Sequence, residues 1–482
     1  MSLSRLPLLL RPLSGLLLLC VAIAPSVSAE ERPNVLFISI DDLRNDLGAL
    51  GAGHAVTPHL DAFAATARLF SHHYVQAPTC GASRYALISG MRPSRPVHAG
   101  NNAIRDTSGD WADRSLPAMF RDAGYRTLAL GKIGHYPGGL SGRNWDAPPE
   151  ELPGVWDKHW IPDGPWPHAE AIMHGYADGV ARVRGQSPPI EAFDGPDETY
   201  SDAWVARDAI ATLGELADSA EPWLFAVGFF KPHLPFAAPK SYFDLHADGV
   251  PDLEPEVAAR RDWPSGWHRS GEFRGNYGHD GRDPDDDPDY VRELRVAYAA
   301  AVSYVDTQVG RVLQALNEHG LEDNTIVVVW SDHGFLLGEH AIWGKHCLYE
   351  HSLRAPLIIR HPGLERPGEI SEATVETIDI FPTLADLCGL QAPDGLDGLS
   401  LRPQLEDPAA ASSKPAFGYW GNRRTIRDDR WRLIVAGDGD QAELFDYQTD
   451  PGETRNHTAD HPERVRELLR TLDEHAPALR RR

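Results

Sequence analysis

The chain has 482 residues, 42% of them hydrophobic and 13 of them Trp, a composition that excludes a disordered chain and demands a packed core. Its formal net charge of −24 argues against nucleic acid as a partner, because a phosphate-binding surface is normally basic. The same charge repels anionic substrates, so a site for sulfate or phosphate has to be a local basic cluster set in a repulsive field.

The length suits one large domain with a small one attached, and 39 Pro with 43 Gly foretell many surface loops. At the N-terminus, Arg5 and Arg11, the apolar stretch 16–23 and Val27-Ser28-Ala29 before Glu30 read as a secretory signal over 1–29. The apolar stretch is too short for a membrane span, and no later segment is long and apolar enough for one. Cys20 lies within it after Leu19, where a lipoprotein signal would place a small residue. The mature protein is therefore expected to be exported, into a periplasm or the medium. Without the signal, Cys80, Cys347 and Cys388 remain. An odd number in an oxidising compartment leaves at least one unpaired or chemically altered. A Cys347–Cys388 bridge with Cys80 as a buried thiol satisfies the count but leaves Arg84 without a reason.

Four apolar runs each lead directly into chemically capable residues. The run 35–40 leads into Asp41-Asp42, and 126–130 into Gly131-Lys132-Ile133-Gly134-His135. The run 223–228 leads through Phe229-Phe230 into Lys231-Pro232-His233, and 325–330 into Ser331-Asp332-His333-Gly334. Short, continuous runs of this kind suit strands covered on both faces. Helical patterns over 115–123, 199–217 and 290–318 alternate with them, the last with Tyr298, Val302, Val305, Val309 and Leu313 at helical spacing. The pattern predicts an α/β fold, a large mostly parallel sheet flanked by helices. Ligands bind beyond the carboxyl ends of such strands, where all four polar clusters fall. The segment 136–198 reads as long loops shaping a cleft, and 269–289 as an exposed loop whose Asp285-Asp286-Asp287 is a solvated turn. Beyond 403 the pattern changes to short strands over 416–420, 431–435 and 443–446 and a helix over 461–472. This predicts a catalytic domain over 30–403 and a small antiparallel C-terminal subdomain over 404–482.

Asp41, Asp42 and Asp332 at the ends of two strands invite a hard divalent cation, with His333 beside it. Arg84, Lys132, Lys345 and Lys231 are the candidate basic cluster for a tetrahedral oxyanion. His135 and His233 are candidate proton carriers.

Taken together, Asp41-Asp42-Leu43-Arg44, Cys80-x-Ala82-Ser83-Arg84, Gly131-Lys132-x-x-His135, Lys231-Pro232-His233-x-Pro235-Phe236 and Ser331-Asp332-His333-Gly334 with Gly338-Glu339-His340 and Lys345 resemble the type I, formylglycine-dependent sulfatase family. The closest likeness within it is to the iduronate-2-sulfatase branch, and Glu443-Leu444-Phe445-Asp446 with Asp450-Pro451-Gly452-Glu453 is similar to the family's closing motif. The resemblance implies an alkaline-phosphatase-like fold and action on sulfated saccharides. It implies that Cys80 is oxidised to formylglycine (3-oxoalanine) by a formylglycine-generating enzyme. Asp41, Asp42, Asp332, His333 and the modified Cys80 would hold one calcium ion. Arg84 would stabilise the formylglycine hydrate with His135 beside it, Lys132 and Lys345 would hold the sulfate, and His233 would protonate the departing oxygen. One hydrate hydroxyl would attack sulfur and the other expel sulfate, which an ordinary alcohol nucleophile could not do. Ala82 stands where proline is commoner in the family. Two other readings remain: a metal-dependent phosphoester or phosphonate hydrolase of the same fold, and a non-catalytic saccharide-binding homologue.

Overall fold

The four apolar runs form adjacent strands at the centre of one sheet. In the computed structural model, which describes Met1 and residues 32–140, 150–261, 267–437, 439 and 441–479, the sheet has eight strands. The signal reading, Cys20 included, falls on residues outside the described ones. The strands are β1 (Asn34–Asp41), β2 (Arg68–Tyr74), β3 (Arg126–Gly131), β4 (Lys158–Trp160), β5 (Trp223–Pro232), β6 (Thr325–Ser331), β7 (Leu357–Arg360) and β8 (Ile370–Glu376). Their order is β8-β2-β7-β6-β1-β5-β3-β4, parallel throughout except for β7, which runs against both its neighbours.

Every residue of β5 and β6 is buried, which explains why they read as unbroken apolar runs. The pleat of β1 shares out its side chains. Leu36, Ile38 and Ile40 pack with helices α2 (Ser201–Ala217) and α3 (Pro288–Glu318), while Val35 and Phe37 join the opposite core with Tyr85 and Ile88. Those last two lie on α1 (Cys80–Ser89), whose ten residues are all buried. Among the described residues no helix is long and apolar enough to cross a membrane.

The C-terminal sheet is antiparallel, formed by β9 (Ala416–Trp420), β10 (Arg423–Arg427), β11 (Trp431–Ala436) and β12 (Gln441–Asp446), and covered by α4 (Pro462–His475) through Leu468 and Leu472. β10 was not foreseen, because Arg423-Arg424-Thr425-Ile426-Arg427 lacks an apolar run. Its arginines find partners: Arg424 pairs with Asp473 at 2.8 Å and Arg427 lies over the Tyr447 ring. A buried ion cluster ties this sheet to the main body. Arg432 pairs with Glu350 at 2.6 Å, Tyr74 donates to Glu350 at 2.8 Å, and Glu453 accepts from the Glu350 amide at 2.9 Å.

Two loop readings are corrected. Within 136–198, β4 forms the edge of the main sheet, and Ile190–Phe193 pairs with Phe236–Pro239. Within 269–289, Gly271–Asn276 is helical with Phe273 buried, and Tyr277 just after it is buried too, so this segment is only partly exposed. Cys80, Cys347 and Cys388 are all free and buried. Cys347 and Cys388, which belong to different core clusters, are not bridged to each other, and burial pushes each thiol up to about 12.

Candidate active site

β6, β1, β5 and β3 are neighbours and parallel, so the residues after their carboxyl ends converge. Gly131 and Gly228 make this approach tight. A Cβ on Gly131 would lie 2.1 Å from the Gly228 carbonyl oxygen, and one on Gly228 would lie 2.1 Å from that of Lys132. The chain can therefore turn Lys132 inward beside β5.

Arg84 is the hub. Its Nε donates to Asp332 Oδ2 at 2.9 Å and its Nη2 to Asp41 Oδ1 at 3.2 Å. Its Nη1 reaches Ser39 Oγ at 3.0 Å and the carbonyls of Lys132 and Ile133 at 2.5 and 3.2 Å. The Lys132 ammonium pairs with Asp41 Oδ2, and Lys345 Nζ contacts both Asp42 oxygens at 2.9 and 3.0 Å. Three cations and three carboxylates thus share a volume in which all six residues are buried. The cluster gathers the cations that an oxyanion site in an acidic chain needs, each of them paired with a carboxylate.

The charges tune one another. Burial would raise the Asp41 pKa, but Lys132, His233 and Arg84 hold it well below the usual carboxylate range. Burial dominates at Asp42, pushing it to about 7 against the pull of Lys345. Burial disfavours the Lys345 ammonium, yet Asp42, Cys80 and Glu272 hold it well above the ordinary lysine value. Asp42 adopts φ 62°, a left-handed conformation that costs an aspartate energy unless its surroundings impose it. Its amide donates to Asp332 Oδ1 at 3.1 Å and its carbonyl accepts from Tyr298 Oη at 2.8 Å.

Cys80 opens α1 and has its Sγ 3.3 Å from His333 Nε2. Burial drives its thiol well above the usual range, so the residue as encoded is a poor source of thiolate. The His333 Nδ1–H donates to the Gly334 carbonyl at 3.0 Å, which fixes the ring. Ligand atoms of Asp41, Asp42, Cys80 and His233 all lie within 4.8 Å of one another, as do those of Cys80, Asp332 and His333. Three carboxylates, Asp41, Asp42 and Asp332, contribute oxygen donors to this set, which suits a hard divalent cation.

His233 also faces the cluster. Its Nδ1 donates to the Leu234 carbonyl at 2.7 Å, leaving Nε2 turned towards Asp42 Oδ2 at 4.0 Å. Lys231 differs from expectation: its ammonium donates to the Pro235 carbonyl at 2.7 Å, while its amide and that of Phe230 donate to Asp202. His135 is held by its backbone, its amide donating to Glu151 Oε1 at 3.1 Å, and burial followed by Lys132 lowers its pKa strongly.

Residues 33–390 match the family model described as sulfatase. The chain belongs to the sulfatase family. It is accordingly a sulfuric ester hydrolase with an alkaline-phosphatase-like fold. A further model, described as N-sulphoglucosamine sulphohydrolase, C-terminal, matches 338–481. A protein named sulfatase from Formosa agariphila is 31% identical over 450 residues, spanning 88% of this chain and 83% of the relative. Iduronate 2-sulfatase of Mus musculus is 32% identical over 436 residues, spanning 80% and 75%. Among solved structures, the phosphonate monoester hydrolase of Agrobacterium radiobacter superposes with a TM-score of 0.75 at 25% identity, over 92% of this chain and 95% of that one. A 2-O GAG sulfatase superposes with a TM-score of 0.68 at 23% identity, over 92% of each chain, a likeness of fold.

Three contributors to this sulfatase site escaped the sequence reading. Tyr298 was legible only as one of a helical apolar stripe, yet its hydroxyl also accepts from the Arg44 amide at 3.0 Å. Glu151 and Glu272 lay in segments without periodicity. Glu272 Oε1 stands 3.3 Å from His233 Nε2 and Oε2 3.4 Å from Lys345 Nζ. Burial would raise its pKa, but Lys345 and His233 keep it well below the usual range.

Gly81 has a steric role that its place in the Cys80 motif does not reveal. A Cβ there would fall 2.0 Å from the Asn101 carbonyl oxygen, while the Gly81 amide donates to Asn101 Oδ1 at 3.3 Å. Gly81→Ala is expected to displace the start of α1 at a cost of about 1–3 kcal/mol. Denaturant titration measures the cost, and a midpoint equal to that of the parent protein would contradict it.

Proposed function

We propose that this sulfatase is exported and hydrolyses sulfate monoesters of sulfated saccharides in an iduronate-2-sulfatase-like manner, as in glycosaminoglycan or sulfated-polysaccharide degradation. Cys80 is matured to formylglycine by a formylglycine-generating enzyme and the site holds one calcium ion. The observation that carries this reading is the set of three buried cations, Arg84, Lys132 and Lys345, gathered with three carboxylates near Cys80 at a helix start. Residues 1–29 serve as the signal, 30–403 as the catalytic domain and 404–482 as the C-terminal subdomain.

Asp41, Asp42, Asp332, His333 and residue 80 would hold the calcium, which when bound supplies polarisation of the sulfate oxygens. The aldehyde hydrate at residue 80 supplies the nucleophilic hydroxyl and a second hydroxyl for sulfate release. Arg84 would stabilise that hydrate, with His135 beside it. Lys132 and Lys345 neutralise the ester's negative charge, and their burial strengthens the attraction. His233 Nε2 delivers a proton to the departing alcohol oxygen, its ring held by the bond from Nδ1 to Leu234.

The likeness to a phosphonate monoester hydrolase favours a second reading, in which phosphonate monoesters are the preferred substrates. A panel of 2-O-, 4-O- and 6-O-sulfated saccharides, assayed beside phenyl phosphonate monoesters, separates the two. At least one sulfated saccharide is expected to exceed the phosphonates by on the order of 10²-fold in kcat/KM. EDTA should abolish that activity and added calcium restore it. A phosphonate preference would overturn the proposal.

A further inference from the structure

Glu272 occupies the site because of packing. It lies in the helix Gly271–Asn276, whose Phe273 is fully buried and stacks on Trp343 at 5.7 Å between ring centroids. The Trp343 amide donates to Ser270 Oγ at 2.8 Å, so two contacts clamp this helix to the segment that carries Lys345 two residues further on. The carboxylate thereby spans two functional groups, 3.3 Å from His233 Nε2 and 3.4 Å from Lys345 Nζ. Its Oε2 is buried and accepts no hydrogen bond among the described residues. A surface glutamate has no reason to be so placed, because burying a carboxylate is costly unless it is paired.

The geometry points to Glu272 as a positioning residue for protonation of the leaving group, holding the His233 imidazole and the Lys345 ammonium in one frame. This rests on the reading of His233 as proton donor. His233 has one ring nitrogen to offer, since the Leu234 carbonyl can only accept and so takes the Nδ1 proton. In the step concerned, the nucleophile's oxygen bonds to sulfur and the bond from sulfur to the ester oxygen breaks. The electron pair stays on the departing oxygen, the Nε2 proton passes to it, and His233 is left neutral. The carboxylate of Glu272, 3.3 Å from Nε2, limits the directions in which that nitrogen can point. A leaving group that is stable as an anion does not need this proton, whereas an alcohol does.

The experiment follows kcat/KM over a series of aryl sulfates of falling leaving-group acidity, from 4-nitrophenyl to 4-methoxyphenyl sulfate. The matured enzyme is compared with Glu272→Gln, Glu272→Ala and His233→Ala. Glu272→Gln retains the side chain's shape but removes its charge, so thermal unfolding of every variant is followed to confirm that it is folded at the assay temperature. Both Glu272 variants should lose about tenfold more activity on the 4-methoxyphenyl than on the 4-nitrophenyl ester, and His233→Ala should show the same slope or a steeper one. If His233→Ala shows that slope and the Glu272 variants lose activity evenly across the series, the role given to Glu272 is wrong while His233 keeps its own. If His233→Ala itself loses activity evenly, the proton-donor reading fails and the inference falls with it.

Discussion

Cys80→Ser, produced in a host whose maturation enzyme acts only on cysteine, is expected to fold normally and to lose sulfate-ester turnover by on the order of 10⁴-fold or more. The substitution is small and nearly isosteric, at the first residue of α1 after its N-cap Thr79. A hydroxyl can still meet His333 Nε2, which lies 3.3 Å from the sulfur it replaces. The basic cluster would therefore survive and continue to bind substrate. What is lost is the release step, because an alcohol that attacked sulfur would remain as a stable sulfate ester. Activity within a few-fold of the parent would contradict the formylglycine mechanism. The mass of the parent peptide 69–84 provides the companion test: loss of the thiol sulfur with gain of an aldehyde supports the maturation.

Arg84→Met is expected to affect stability and catalysis together. The guanidinium is fully buried and supplies the direct ion pairs from α1 to Asp41 at 3.2 Å and Asp332 at 2.9 Å. Removing one partner of a buried charge group leaves the other uncompensated, at about 3–5 kcal/mol. Loss of an electrostatic donor at the reacting centre adds on the order of 10²–10³-fold in kcat. Arg84→Lys should rescue little of either, since one ammonium cannot reproduce contacts to Asp41, Asp332, Ser39 and two carbonyls. The pH profile of stability carries the same signature. Burial opposes ionised Asp41, but Lys132, His233 and Arg84 lower its folded pKa below the unfolded value. The resulting stabilisation is present above the ordinary aspartate range and is lost as pH falls towards the folded pKa. Arg84→Met should shrink that acid-side loss; denaturation midpoints unchanged from the parent's at neutral and acid pH would refute the assignment.

The sheet's centre was legible in the sequence because both of its faces are covered. Strands such as β5 and β6 have no solvent side, so their residues are uniformly apolar and the polar cluster that follows marks the strand's end. β2 was not legible, because its Arg68, His72 and His73 break the apolar run. Arg68 is tolerated there because five backbone carbonyls surround its guanidinium. Lys231 shows the limit for side chains, since its position after a strand suggested the oxyanion pocket and its ammonium bonds to Pro235 instead.

Local patterning was enough to give the α/β class, the four central strands and the residues at or near their ends, Asp41, Asp42, Lys132, His233, Asp332 and His333. It could do so because strand periodicity and motif order are local properties of the chain. The folded chain alone reveals that Arg84 pairs with Asp41 and Asp332, that Lys345 lies on Asp42, and that Glu272 joins His233 to Lys345. Those pairings join residues 43 to 303 positions apart, or depend on a short helix held by Phe273 and Trp343. They are set by the burial of charge in a common volume, a property that no stretch of sequence carries alone.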